Sequence, residues 1–261
     1  MRHRLPILLL LLGLSWVPAH AEIQTRPVEY RAGDTVMEGY LAWDDAVSGP
    51  RPGVLVAHAW MGLGEYEQRR ARELAALGYA AFALDLYGKG VRPQGPAEAG
   101  KLSAAYKADR PLMRERARAA LDALAGEDLC AGRPLAAIGY CFGGMVVLEL
   151  ARGGAPLAGV VSFHGGLATP DPADARQIRG AVLVLHGADD PHVPPEEVAA
   201  FEKEMRDAGV DWQFVAYGGA VHAFSDPGAG NDPSRGAAYH EKADRRSWAA
   251  MRSFLDEVLR R

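Results

Sequence analysis

The stretch Ile138-Gly-Tyr-Cys-Phe-Gly-Gly-Met145 decides the fold. It overlaps the apolar run Leu135–Gly139, which predicts a buried strand, and it leads into a helical pattern over Gly143–Arg152. Glycines stand two positions before and two positions after Cys141. They permit a turn so sharp that the central side chain stands at the end of the strand. Cys141 is therefore a candidate nucleophile, and a small buried residue at a tight turn is the alternative.

On both sides of this turn, short apolar runs alternate with helical patterns. The predicted strands are Val54–Ala57, Ala80–Leu84, Leu135–Gly139, Leu157–Phe163, Ala181–Leu185 and Trp212–Val215. The predicted helices are Glu65–Leu77, Pro111–Ala125, Gly143–Arg152, Pro195–Ala208 and Ala237–Leu259. Thr25–Tyr30 and Thr35–Trp43 predict an antiparallel hairpin, and the glycine- and proline-rich stretch Gly88–Lys107 predicts a loop or lid. This alternation indicates an α/β fold, with a mostly parallel twisted sheet covered by helices on both faces.

The first 21 residues predict a secretory signal peptide. Arg2 and Arg4 give a positive start, the apolar run Leu5–Val17 is too short to span a bilayer, and Ala19-His-Ala21 is an A-x-A cleavage pattern. Cleavage after Ala21 would leave a secreted or periplasmic chain with no membrane segment. We expect residues 22–261 to form a single domain.

Bulk composition argues against several classes of partner. The 261 residues carry a formal charge of −4 without a basic run or patch, so neither nucleic acid nor an anionic membrane is expected as a partner. The histidines show no H-E-x-x-H or paired-ligand spacing, so no metal site is expected. We expect a monomer that acts on a small molecule without a cofactor.

The two cysteines are predicted to be free thiols. Pro134–Ile138, an apolar run that predicts a strand, separates Cys130 from Cys141. Five strand residues at about 3.3 Å each span roughly 16 Å. A disulfide needs Cα atoms within about 7 Å, so this geometry forbids the pairing.

Two later loops supply a candidate acid and a candidate base. Val182–Pro194 ends a strand in a G-x-x-D-x-x-V-P turn, the setting in which α/β hydrolases carry their triad acid, and this selects Asp190. Asp189 is expected to serve the turn or a helix cap. His222 follows the last strand, and although a lone histidine is more often structural, the order Cys141, Asp190, His222 is the nucleophile–acid–histidine order of that fold.

Backbone donors for a tetrahedral oxyanion are predicted at two places. One is the N–H of Phe142, directly after the cysteine, and the other is the N–H of Trp60 in the loop after Val54–Ala57. The candidate substrate contacts are Tyr87, His192 and Phe224. The alternative for Tyr87 is packing beneath the predicted lid, and the alternative for His192 is exposure to solvent. His164 and His186 end apolar strands and are expected to be structural.

With these motifs in place, the chain resembles the dienelactone hydrolase family from about Tyr30 to its C-terminus. The matching stretches are His58–Leu63, Gly78–Gly88, Ile138–Gly144, the Gly187–Pro194 turn and Val221–Phe224. The resemblance implies an α/β-hydrolase fold and a triad of Cys141, Asp190 and His222. It also implies a glutamate in the loop after the first parallel strand and an arginine four residues after the histidine. This sequence has Ala59 and Asp226 there, and an acid at 226 would repel an anionic substrate.

The sequence therefore predicts an exported hydrolase that cleaves a carboxylic ester or lactone through a thioester on Cys141. Two other classes stay open. One is a binding protein on a hydrolase fold whose triad is idle, since a fold alone does not guarantee activity. The other is a thiol redox protein, against which stands the absence of a C-x-x-C motif.

Overall fold

In a computed structural model of the protein, residues 22–259 are described, and the predicted signal peptide over residues 1–21 lies outside this range. The strands are β1 (Ile23–Ala32), β2 (Thr35–Asp44), β3 (Gly53–Ala57), β4 (Ala80–Ala83), β5 (Leu135–Tyr140), β6 (Gly159–Phe163), β7 (Ala181–Gly187) and β8 (Trp212–Tyr217). The helices are α1 (Glu65–Ala75), α2 (Pro96–Ala108), α3 (Arg110–Ala125), α4 (Phe142–Arg152), α5 (Pro195–Ala208) and α6 (Glu241–Leu259). Among these helices, none combines the length and the apolar character that a membrane span requires.

The strands form one eight-stranded sheet in the order β1-β2-β4-β3-β5-β6-β7-β8. The predicted hairpin is confirmed as β1 and β2, which pair antiparallel, and β2 also runs antiparallel to β4. All neighbours from β4 to β8 are parallel. The carboxyl ends of these parallel strands share one edge of the sheet, where ligand sites of α/β folds lie.

Helices cover both faces of the sheet, as the sequence predicts. On one face, α1 and α6 bury apolar side chains such as Leu74 and Met251. On the other face, α3, α4 and α5 contribute Met113, Val147 and Phe201. The nearly continuous apolar character of the central strands follows from this, because a parallel sheet buried on both faces has no solvent side.

Two predicted boundaries are wrong. The predicted loop over Gly88–Lys107 is a loop only in its first part, because α2 begins at Pro96. Proline suits the first position of a helix, and buried side chains at Ala99, Ser103 and Tyr106 give α2 a packing face that the glycine- and proline-rich composition hides. The last helix begins later than predicted, since Ala237 pairs instead with His222 in an isolated β-bridge.

A close approach of three backbone segments joins β5 to α4. A Cβ atom on Gly139 would lie 2.0 Å from the carbonyl oxygen of Gly143, and one on Gly143 would lie 2.1 Å from that of Ala57. Both contacts are with backbone, so a side chain at either position could not be accommodated by rotating a neighbour. The two glycines are therefore required for α4 to begin directly at the end of β5.

We expect Gly139→Ala to lower the free energy of unfolding by about 1–3 kcal/mol or more, because the added methyl group overpacks a backbone contact. Denaturant unfolding of purified protein measures this. Gly218→Ala is the control, since a Cβ there has no atom within 4 Å. Equal stability of the two variants would contradict the packing argument.

Candidate active site

Cys141 occupies the turn between β5 and α4 in a strained backbone conformation. Its φ is +55° and its ψ is −115°, a region that costs energy for a residue with a side chain. The conformation is held in place by its own N–H, which donates to the carbonyl of Phe163 at 3.0 Å and to Nδ1 of His164 at 3.1 Å. The thiol consequently stands at the N-terminus of α4, where the helix dipole favours negative charge.

A hydrogen-bonded series runs from Cys141 to a buried carboxylate. His222 Nε2 lies 3.0 Å from Cys141 Sγ, and His222 Nδ1 lies 2.8 Å from Asp190 Oδ2. The other oxygen of Asp190 accepts the N–H of His192 at 2.8 Å, which fixes the carboxylate. Asp189, in contrast, is exposed. The three predicted residues thus meet at one edge of the sheet, each from a different loop.

The environment favours charge separation between the thiol and the imidazole. Burial alone would raise the pKa of Cys141, but the hydrogen bond and charge of His222, the Phe142 N–H and the Lys107 ammonium together lower it. Burial alone would lower the pKa of His222, but its bonds to Asp190 and Cys141 raise it to about 10. Both shifts favour a thiolate–imidazolium pair as the resting state.

Two backbone N–H groups are available near the sulfur. The Phe142 N–H bonds to the thiol and contributes to lowering its pKa. Trp60 lies on the loop after β3 and lines the same cavity, and within residues 22–259 its N–H has no protein acceptor. The Trp60 N–H is thus unoccupied, whereas the Phe142 N–H already bonds to the sulfur, and both point to the region where a negative charge would be stabilised.

The sulfur faces an open cavity of about 950 Å³. Much of the wall is apolar, with Met61, Phe142, Met145, Val193 and several alanines. Four charged side chains also line it: Lys107, Glu197, Asp226 and Arg235. The cavity therefore has the size and mixed lining of a site for a small organic molecule.

The three predicted substrate contacts lie in different environments. His192 lines the cavity, with its ring centroid 5.0 Å from that of His222. Tyr87 is buried, and its hydroxyl donates to the carbonyl of Trp60 at 2.9 Å. Phe224 is fully buried and packs edge-to-face on His164. The placement of Tyr87 supports packing, its alternative, and Phe224 likewise packs in the interior instead of lining the cavity.

A buried histidine–hydroxyl pair, His164 and Ser225, lies beneath the Cys141–His222 pair. Sequence reasoning missed its role. His164 Nδ1 accepts the Cys141 N–H, and its Nε2 lies 2.8 Å from Ser225 Oγ, which in turn lies 2.9 Å from the hydroxyl of Tyr66. Burial lowers the pKa of His164 well below its usual value, and the nearby charge of His222 adds to this. Ser225 is completely buried, so it cannot reach a substrate in the cavity as Cys141 can.

The position of His164 held a signal that could have revealed this contact. It directly follows the carboxyl end of β6, the neighbour of β5, so it had to lie beside Cys141. Its φ of +40° is also unusual for a histidine, although the sequence does not reveal that.

Other side chains offer little for a metal or for redox exchange. Both cysteines are free thiols, as predicted, with Cys130 buried away from the cavity. In the part of the chain that the structure describes, no three His, Cys, Asp or Glu side chains are grouped closely enough to hold a metal ion.

Comparison with known proteins places this geometry in a family. The sequence model of the dienelactone hydrolase family matches residues 37–259. A solved structure named m3DLH is 45% identical, covers 91% of this chain and 99% of its own, and superposes with a TM-score of 0.87. A dienelactone hydrolase-like promiscuous phosphotriesterase, P91, from metagenomic libraries is also 45% identical, covers 92% and 100% of the two chains, and has a TM-score of 0.87.

A relative with an assigned name is also similar over most of its length. The Yersinia pestis protein named "Putative carboxymethylenebutenolidase" is 28% identical over 234 residues, which is 82% of this chain and 81% of that protein.

The rate at which Cys141 is alkylated tests whether its thiol is ionised. We expect the rate of Cys141 alkylation to follow an apparent pKa below the free value of about 8.5, and His222→Ala to raise that pKa. Buried Cys130, whose pKa is raised to about 12, should give only a slow background, and a Cys130→Ala protein removes it. A wild-type value at or above that of free cysteine would contradict the thiolate–imidazolium pair.

Proposed function

The chain belongs to the dienelactone hydrolase family, whose members act on ester or lactone bonds, and we propose that it cleaves a carboxylic ester or lactone through a Cys141–His222–Asp190 triad. The observation that carries this proposal is the continuous series Sγ–Nε2 at 3.0 Å and Nδ1–Oδ2 at 2.8 Å, with the sulfur facing the cavity. A nucleophile, its base and an orienting acid in hydrogen-bond reach are what covalent acyl transfer requires.

The reaction begins with attack by the Cys141 thiolate on the carbonyl carbon. The carbonyl oxygen becomes an oxyanion, which accepts hydrogen bonds from the N–H groups of Phe142 and Trp60. His222, held as an imidazolium by Asp190, donates its proton to the departing alkoxide, and a thioester remains on Cys141. The neutral imidazole then takes a proton from water, which attacks the thioester and releases the acid and the thiolate.

The chemistry of sulfur restricts the substrate. A thiolate attacks a carbonyl well, but it is also a good leaving group from the tetrahedral intermediate. Collapse toward product therefore needs an alcohol that leaves readily, so activated esters and lactones are favoured over amides. Asp226 lines the cavity two residues from Phe224 and four from His222, which disfavours anionic substrates on that side.

A phosphotriester is the second candidate substrate. The similar protein P91 is described as a promiscuous phosphotriesterase. In this chain the same thiolate could attack a neutral phosphorus centre, and the two N–H donors could bind the phosphoryl oxygen as its charge develops. The open cavity has room for a tetrahedral centre with three substituents.

Hydrolysis of p-nitrophenyl esters with short and medium acyl chains tests the proposal, with a lactone and diethyl p-nitrophenyl phosphate alongside. We expect turnover by Glu22–Arg261 and a loss of about a thousandfold or more in Cys141→Ala, because the nucleophile is removed. Cys130→Ala is the matched control, since it removes the buried thiol and should stay active. Activity that survives in Cys141→Ala but is lost in Ser225→Ala would assign the nucleophile to the serine instead.

We propose in addition that the chain is exported and that its mature form begins at Glu22. The support is the charged start, the apolar run Leu5–Val17 and the cleavage pattern that ends at Ala21. Expression of the full chain in a Gram-negative host, followed by intact mass measurement of the periplasmic protein, should give the mass of residues 22–261. Recovery of the protein with residues 1–21 intact in the cytoplasm would contradict this.

A further inference from the structure

A buried carboxylate lies beneath the loop that carries Trp60. Glu67, on the first turn of α1, is 4% exposed. Its Oε2 accepts the N–H of Gly64 at 3.0 Å, which is an ordinary capping bond for the third residue of a helix. Its Oε1 accepts the N–H of Ala59 at 3.1 Å, which capping does not require, because Ala59 lies back at the end of β3.

The rest of this loop is held just as firmly. The carbonyl of Ala59 lies 2.6 Å from Nδ1 of His58 and also accepts the N–H of Gly62 at 3.1 Å. The carbonyl of Trp60 accepts the hydroxyl of Tyr87. The Ala59 carbonyl and the Trp60 N–H belong to one peptide plane, so these bonds set the direction in which the N–H points. Glu67 fixes the peptide on the other side of Ala59.

We propose that Glu67 is a positioning residue for the Trp60 oxyanion donor and that it acts only as a carboxylate. This inference rests on the proposed function, since it assumes that the Trp60 N–H binds the oxyanion. Both oxygens of Glu67 accept a backbone N–H, which an ionised carboxyl group can do. A proton on either oxygen would make that oxygen a donor and a much weaker acceptor, so one of the two N–H bonds would be weakened.

The surroundings of Glu67 bring its pKa into the pH range that an activity assay covers. Burial raises the pKa of Glu67 to about 7, the N–H groups of Ala59 and Gly64 oppose this, and Asp226 adds to it. Three other groups lie around the loop: His58, whose pKa burial lowers to about 4; Arg92, which donates to the Leu63 carbonyl; and Arg70, paired with Asp244. Turnover should therefore rise as Glu67 loses its proton through about pH 7 and fall as Glu67 regains it at lower pH.

The test compares the pH dependence of two reactions at the same sulfur. Ester hydrolysis needs the oxyanion donors, whereas alkylation of Cys141 does not. We expect kcat/KM of the wild type to show an acid step near pH 7 in addition to the step of the thiol, which is the one step expected in the alkylation rate. Glu67→Gln, which matches the shape but replaces one acceptor oxygen by an NH2 donor, should lower kcat/KM about tenfold or more and abolish the additional acid step. Its alkylation profile should match the wild type.

Glu65→Gln is the matched control, because Glu65 lies on the same helix turn with its side chain exposed. It should leave both profiles unchanged. A Glu67→Gln enzyme with wild-type kcat/KM and the same pH profile would overturn the inference but leave the proposed function intact. So would a parallel shift of both profiles, because Glu67 would then act through the thiol.

Wild type that hydrolyses none of the esters would overturn the proposed function and this inference with it. If Glu67→Gln does not fold, the two pH profiles of the wild type still test the inference. Hydrolysis and alkylation profiles with the same steps count against Glu67, and an additional acid step in hydrolysis supports it.

Discussion

The close packing of α4 on the ends of β3 and β5 is the constraint on which the site depends. Gly139 and Gly143 have no side chains, so the first turn of α4 can contact the backbone at Ala57 directly. This contact has two consequences. It forces Cys141 into its strained conformation at the helix N-terminus, and it places the loop after β3 beside the sulfur. One packing contact thus brings Cys141 and the loop that carries Trp60 together.

Two neighbouring histidines show how environment decides charge. The rings of His164 and His222 are 5.3 Å apart, yet the pKa of one is lowered and that of the other raised. His222 has the Asp190 carboxylate on one nitrogen and the thiol on the other. His164 accepts the Cys141 N–H and faces a neutral hydroxyl, so no carboxylate offsets the effect of its burial. Only the ring that bonds to the sulfur is set up to carry a second proton and its positive charge, so the His164 ring below it stays neutral.

The sequence was sufficient for the features that depend on local pattern. The parallel strands, the turn at Cys141 and the chain order of Asp190 and His222 follow from periodicity and from residues at strand ends. It was insufficient where packing decides. Helix α2 begins at a proline within a glycine-rich stretch and is stabilised by the burial of Tyr106. The hydroxyl of Tyr87 turns to the Trp60 carbonyl because the surrounding rings enclose it, which no local pattern encodes.

Ala59 stands where the dienelactone hydrolase family carries a glutamate, and the buried carboxylate near this site is that of Glu67 instead. The family resemblance places a glutamate in the loop, next to the resting thiol, whereas here the nearby buried carboxylate comes from α1 and bonds to the loop's backbone. A carboxylate beside the sulfur would repel a thiolate. A carboxylate beneath the loop instead stabilises two N–H groups, and the sulfur has His222 as its hydrogen-bonded partner. Glu67 thus bonds to the backbone of this loop and, unlike Ala59, does not line the cavity that the sulfur faces.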